Sequence, residues 1–459
     1  MAFKSLTAAM ACALAACRTA DAAGAGPAAK SAPAAEVTRV LLSRQELAGS
    51  PGFESRLYLI EFPPGAESKP HVHPSPGLGY VLEGTFESSF DDGPVTTARA
   101  GDSFVDTPGV THHFRNPDSR HRLRFVISGT FRKEEPLFRP AITIEGPGLY
   151  PETVEVNPLN GRFLVGSLRE GAVYEVAPDG ASRRFIEDDW LTAVLGIAVD
   201  ARTNRLLVTT SDLGNGVRRS AKGPRKEAGL AIYDLATGRL LRHVDLSQLV
   251  PGRDHLMNGV TVDDDGNAYV TDSFSPAIYK VDPAGAATVF LQDAEFDAKG
   301  INLNGAVFHQ GGYLLVVMKS SGALYRVPLS DPRRFSKVAL VGSPAASGFI
   351  GGDGLLLTGP DRLVLVANQT PGGASNAAFV LETADGWASA RVVESIPLGN
   401  VYPTSCAARD GKLYALTSHL NEWLATTDAT RDSVLRRGRL AELREIGVVT
   451  SGPNQARAP

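Results

Sequence analysis

From Val37 to Phe138 apolar and polar residues alternate in short runs such as Arg56-Leu57-Tyr58-Leu59-Ile60-Glu61-Phe62. The runs are cut by Pro63-Pro64-Gly65, Glu83-Gly84, Asp91-Asp92-Gly93 and Pro108-Gly109. A period of two between closely spaced turns predicts short strands, and their even spacing predicts a small β-barrel or jelly roll. From about residue 140 onward a longer block recurs, with one apolar strand, a turn and a second apolar strand. Its first strands begin at Tyr150-Pro151-Glu152, Leu195-Gly196, Asn258-Gly259, Asn304-Gly305, Asp353-Gly354 and Pro403-Thr404. The intervals 258 to 304, 304 to 353 and 353 to 404 are 46, 49 and 51 residues, and the 106 between 152 and 258 holds two units. Six units of this size predict a six-bladed β-propeller. The expected fold class is therefore all-β, with a small barrel at 37–138 followed by a propeller at 139–459.

The N-terminus follows neither pattern. Met1-Ala2-Phe3-Lys4 and the apolar stretch Leu6 to Ala16 have the form of a secretory signal, too short to span a bilayer stably. Leu14-Ala15-Ala16-Cys17 resembles a bacterial lipobox, which implies lipidation of Cys17 and a periplasmic protein held to the membrane only by its lipid. Secretion with cleavage near Ala23 is the alternative. The Ala-, Pro- and Gly-rich segment 18–36 is expected to be a flexible tether. With Cys12 removed and Cys17 consumed, Cys406 stands alone and no structural disulfide is expected. Charge narrows the partners: 46 basic residues against 50 acidic ones give a net charge of −4, which offers no broad attraction to nucleic acid. A small molecule is the expected partner, and oligomeric state cannot be read from the chain.

In His71-Val72-His73 two imidazoles stand at i and i+2, so a strand turns both to one face, as a mononuclear metal requires. His112 follows Gly101-Asp102 and Pro108-Gly109 and precedes Asn116. With Pro64-Gly65, Pro74 and Gly79-Tyr80-Val81-Leu82-Glu83-Gly84, these residues resemble the two motifs of the cupin family. The resemblance implies a metal held by His71, His73 and His112, a transition metal such as iron, zinc or manganese. The family's usual metal-binding glutamate is replaced by Gly77, so the expected site is three-histidine at best. His113 is expected to face away, and His121 has no motif support.

In a propeller the first strand of each blade lines the axis, so Glu152, Leu195, Asn258, Asn304, Asp353 and Thr404 should converge. Two carboxylates and two amides supply hard oxygen donors that suit calcium. This ring resembles the regucalcin/gluconolactonase and paraoxonase families of six-bladed calcium propellers. The resemblance implies that Glu152, Asn258, Asn304 and Asp353 hold calcium, with Asp353 as the best candidate base. A metal-bound carboxylate is a mediocre base. Leu195 stands where paraoxonases carry a catalytic histidine, so a histidine dyad is not implied.

Polar residues near predicted strand ends are further candidates, with Asp272, Lys319 and His419 taken as substrate-binding, beside Ser211, Asp212, Ser273, Asn368 and Asn421. Residues 214–229 read as a blade insertion that could cover the channel, and the charge run from Arg431 to Arg444 as a solvated loop or helix face. Three functions remain open: a calcium-dependent lactonase or related ester hydrolase, a non-catalytic small-ligand-binding propeller, and a three-histidine metal oxygenase or isomerase in the barrel.

Overall fold

The computed structural model describes residues 36–448 apart from 92, 147, 342–348, 369–375, 400, 428–429 and 432–440. The signal, Cys17 and nearly all of the 18–36 tether lie outside the described residues. Among the described residues no helix is long and apolar enough to cross a membrane.

The barrel packs two sheets face to face. One runs Thr38–Glu46, Phe53–Phe62, Leu123–Arg132, Gly77–Glu83 and Ser103–Asp106; the other contains His71–Val72, Thr111–Arg115, Thr85–Phe90 and Thr96–Arg99. The alternation seen in sequence becomes the two faces of these strands. Ile60, Phe62, Val81, Phe86, Phe114, Phe125 and Ile127 point inward and form the core, while Leu78 and Tyr80, set between buried neighbours, stay exposed.

Six sheets follow, and their first strands close in a ring: Pro151–Val156, Val194–Asp200, Met257–Val262, Leu303–His309, Gly352–Gly359 and Pro403–Arg409. Each first strand carries a register break at its start, between Pro151/Thr153, Val194/Ile197, Met257/Val260, Leu303/Ala306, Gly352/Leu355 and Pro403/Ser405. These breaks fall on Glu152, Leu195, Asn258, Asn304, Asp353 and Thr404. A bulge turns the extra residue out of the ladder, and here it turns it towards the axis. The glycines that follow have a packing reason: a Cβ on Gly259 would lie 2.5 Å from the Asn304 carbonyl oxygen, and one on Gly305 would overlap that of Asp353. Their Asn-Gly and Asp-Gly pairs let neighbouring first strands touch around the axis.

The sixth sheet joins the two halves. It runs Pro403–Arg409, Lys412–Thr417, Glu442–Val448 and then Arg139–Thr143, so an N-terminal strand completes the last blade. The same strand pairs with the barrel, Arg139 opposite Val72 and Pro140 opposite His71, making one eight-stranded sheet. The expected boundary at 138/139 therefore falls at the start of a strand that belongs to both.

The described end of the 431–444 charge run is not solvated, correcting that expectation. Residues 442–448 are an interior strand, and Arg444 is 1% exposed. Its guanidinium donates to the carbonyls of Gly109 and Leu398 at 2.8 Å each and pairs with Asp91 and Glu442 at 2.9 Å. Thr111 of the barrel also donates to Glu442, at 2.5 Å. Residues 432–440 lie outside the described residues.

Candidate functional site

Five of the six register breaks bring Glu152, Leu195, Asn258, Asn304 and Asp353 to one level of the channel, where they line both a lower cavity of about 210 Å³ and an upper one of about 410 Å³. The ring is the partition between them. Glu152, Asn258, Asn304 and Asp353 are all buried. Thr404 lines the lower cavity, together with Cys406, a buried free thiol pushed up to about 12 by burial.

Lys319 follows the strand Tyr313–Met318 and reaches the ring from the upper side. Its ammonium lies 2.6 Å from Asp353 Oδ2 and donates to Asn368 Oδ1 at 2.6 Å, while Asn368 Nδ2 donates to the same Asp353 oxygen at 2.6 Å. Burial, the largest single effect, would discharge the lysine, but Asp353, Tyr402 and Glu152 together outweigh it and hold its pKa above the ordinary value. Burial, and then the neighbouring Asp353, drive the Glu152 carboxyl well above the usual carboxylate range. The one ammonium thus pairs with Asp353 and leaves the neighbouring Glu152 without a direct counter-ion among the described residues, an arrangement a further cation would relieve. Asn258 donates through Nδ2 to Ser273 Oγ at 3.2 Å, which leaves its amide oxygen for the channel.

Above the ring the cavity wall is apolar, with Leu168, Leu195, Leu256, Phe274, Ile301 and Leu420 among its lining. Further lining comes from two places. Leu213, Asn215 and Arg225 come from the blade-two insertion and its approach, and Leu420 and Leu424 from the short helix Leu420–Leu424. Trp423 of that helix stacks on Tyr150 at 5.2 Å, and Asn215 donates to its carbonyl at 3.4 Å.

Lys319 is thus brought to the ring, but Asp272 and His419 are not among the cavity-lining residues. Asp272 is fully buried because it fixes a turn: Oδ1 accepts from the amides of Leu256, Phe274 and Ser275, and Oδ2 from His255 at 2.7 Å. His419 takes a left-handed conformation at φ 49° and starts the helix whose next residue, Leu420, reaches the cavity. The sequence reading missed Tyr402, which lines the cavity 5.6 Å from the Lys319 ammonium. It precedes a first strand, as Tyr150 does, and that shared place in the repeat is the signal that could have found it.

In the barrel His71, His73 and His112 offer nitrogens within 4.8 Å of one another. Ring centroids are 4.9 Å apart for His71–His73, 5.4 Å for His71–His112 and 5.5 Å for His73–His112. His71 Nδ1 is 2.8 Å from the Lys69 carbonyl and His73 Nδ1 is 3.0 Å from that of Leu137. A carbonyl only accepts, so both rings carry their proton on Nδ1 and keep the Nε2 lone pair for a ligand. His112 bonds Ser88 through Nε2 at 2.8 Å and turns Nδ1 inward. Phe90 stacks on it at 4.2 Å. His113 is half-buried beside Glu67, and exposed His121 pairs with Asp118, so neither joins the cluster.

One carboxyl reaches these rings, from a residue the sequence reading passed over. Asp106, 0% exposed, places Oδ2 3.4 Å from His73 Nε2 and Oδ1 3.4 Å from His112 Nδ1, and neither oxygen has a hydrogen-bond partner. The cavity at this cluster is about 20 Å³, room for a water-sized ligand, roofed by Arg39, Leu137 and Phe138.

Residues 58–130 match the model of the cupin domain. This stretch is a cupin domain. No curated protein matches the chain. Among solved structures, a calcium-binding regucalcin from Agrobacterium tumefaciens is similar at 17% identity and a TM-score of 0.47, over 67% of this chain and 94% of that one. Virginiamycin B lyase from Staphylococcus aureus is similar at 10% identity and 0.40, over 67% and 98%. A protein of unknown function from Bacteroides thetaiotaomicron is similar at 11% and 0.46, over 83% and 98%.

Burial gives the metal-free cupin an acid-sensitive signature. It depresses His71 to about 3, His73 to about 4 and His112 to about 2, and raises Asp106 to about 7. Around pH 5 to 6 the unfolded chain binds most of three histidine protons that the fold does not, while folded Asp106 keeps one that the unfolded chain releases. For these four groups the difference is two protons, which would lower stability by about 3 kcal/mol for each unit of acidification in this window, while Glu152 and Glu155 of the propeller, raised by burial, keep protons in the fold that oppose the fall. Urea unfolding of chelator-treated wild type and His112→Phe across pH 4.5–7 checks the histidine part: the variant should lose less stability on acidification, and identical slopes would contradict it.

Proposed function

We propose that the propeller is a calcium-dependent hydrolase of lactones or related esters, with chemistry at the upper cavity. The observation behind this reading is a buried oxygen ring, built in blade register, at the floor of an apolar cavity of about 410 Å³. Glu152, Asn258, Asn304 and Asp353 would hold the ion, and the donor set fits: hard oxygens from two carboxyl groups and two amides. Bound there, calcium supplies Lewis acidity towards an ester carbonyl. Lys319 and Asn368 hold Asp353 Oδ2 in place, so the carboxylate faces the cavity in one orientation and can take the proton of an attacking water. The leucine-rich wall excludes bulk water and favours esters with a hydrocarbon flank over polyhydroxylated ones, because each buried hydroxyl without a partner costs about 1–3 kcal/mol.

The test is hydrolysis of a lactone and ester panel by the full chain, with calcium and after chelation. Turnover that calcium restores supports the reading; no turnover on any member sinks it.

Lys319 favours a second reading, a non-catalytic ligand-binding propeller, because its ammonium already satisfies Asp353. Lys319→Met separates the two. With a hydrolase the wild type binds calcium, and the variant should bind it at least about tenfold more tightly while losing about 3–5 kcal/mol of stability in chelator, since it leaves buried carboxylates unpaired. Calcium binding that appears only in the variant would favour the binding module. Under either reading the cupin is assigned a metal-holding part.

A further inference from the structure

The first cupin motif lacks its carboxylate because Gly77 stands in that place. Gly77 pairs directly with Asp106 across the ladder between Gly77–Glu83 and Ser103–Asp106. A Cβ built on Gly77 would lie 3.3 Å from the Cβ of Asp106 and 2.7 Å from Ile127 Cδ1. The two positions therefore serve the same space, and Ile127 closes the route a side chain from position 77 would take. Asp106 fills that space from the neighbouring strand. Its oxygens lie beside His73 Nε2 and His112 Nδ1, the inward nitrogens of those two rings.

We propose that Asp106 is the fourth protein ligand of a cupin metal site, a carboxylate moved from one strand to its partner, making the set three imidazoles and one carboxylate. Three features of the structure carry this. Asp106 is fully buried, both its oxygens lack hydrogen-bond partners, and a carboxyl without partners is costly inside a protein unless it meets a cation. The 3.4 Å separations are too long for charge-assisted hydrogen bonds to the rings, yet they place one oxygen beside each of the inward nitrogens of His73 and His112. The outer nitrogens of His71, His73 and His112 are all held, by the Lys69 and Leu137 carbonyls and by Ser88, so the rings are pre-oriented. A set of this kind suits a divalent first-row transition metal. The inference does not depend on the propeller being a hydrolase.

The experiment is cobalt(II) titration of the chelator-stripped full chain in excess calcium, following visible absorption and affinity. Asp106→Asn keeps the shape and removes the charge. It should lower cobalt affinity at least about tenfold and shift the absorption bands, while the metal-free variant unfolds at the same urea concentration as wild type or higher, because a partnerless carboxyl has gone. A merely structural aspartate would instead cost stability without metal. Asp106→Ser should reproduce the cobalt result if the asparagine form does not fold. Unchanged affinity and unchanged bands in a folded variant would overturn the proposal, and so would a wild type that takes up no cobalt.

Discussion

Replacing Asp353 by Asn is expected to lower calcium-dependent ester hydrolysis about a thousandfold, within the range for loss of a positioned base. The shape is kept, so the effect is one of charge and proton affinity. Asparagine cannot take a proton from water, and the ring would keep only the Glu152 carboxylate, already pushed towards its neutral form by burial. Lys319 would also lose its counter-ion, leaving an ammonium pointing at the site where calcium is needed. Initial rates at saturating calcium, with unfolding curves to show that the variant is folded, check the expectation. A variant that keeps more than a tenth of wild-type activity would remove Asp353 from the chemistry.

The second large effect lies far from the ring. Arg444→Met should destabilise the protein by about 2–4 kcal/mol, because it leaves two buried carbonyl oxygens without a donor and two carboxylates without their counter-ion. Four groups depend on this guanidinium: the carbonyls of Gly109 and Leu398, and the carboxylates of Asp91 and Glu442. They come from the cupin and from blades five and six, at the point where Arg139–Thr143 joins the sheets. The loss should therefore register in both halves. Urea unfolding followed separately by probes in the cupin and in the propeller should show coincident transitions in the wild type and a lowered midpoint for both in the variant. A shift under about 1 kcal/mol would show that the junction does not rest on Arg444.

How much of this was legible differs from residue to residue. The blades were, because a repeat of about fifty residues places equivalent side chains on one axis, and Glu152, Asn258, Asn304 and Asp353 could be matched by register alone. The cupin histidines were legible through His71-Val72-His73, where strand geometry fixes the face. Asp106 was not. Its significance comes from lying opposite Gly77, and pairing between strands that are not consecutive in the chain leaves no local periodicity to read. Arg444 misled for a related reason: charged residues in a run look solvated until a neighbouring domain supplies buried partners. Asp272 misled in the other direction, since a strand-end aspartate that fixes a turn has the same local sequence as one that binds a ligand. Lys319 was named as a ligand contact, but its tie to Asp353 and Asn368 required the second strands of blades four and five to end side by side.

Calcium stoichiometry of the intact chain tests the central claim most directly. Protein equilibrated with calcium and freed of excess ion by dialysis should carry one calcium, lost in Asp353→Asn and kept in Asp106→Asn. A wild type with no bound calcium at millimolar free ion, or one whose calcium survives Asp353→Asn, would contradict the account.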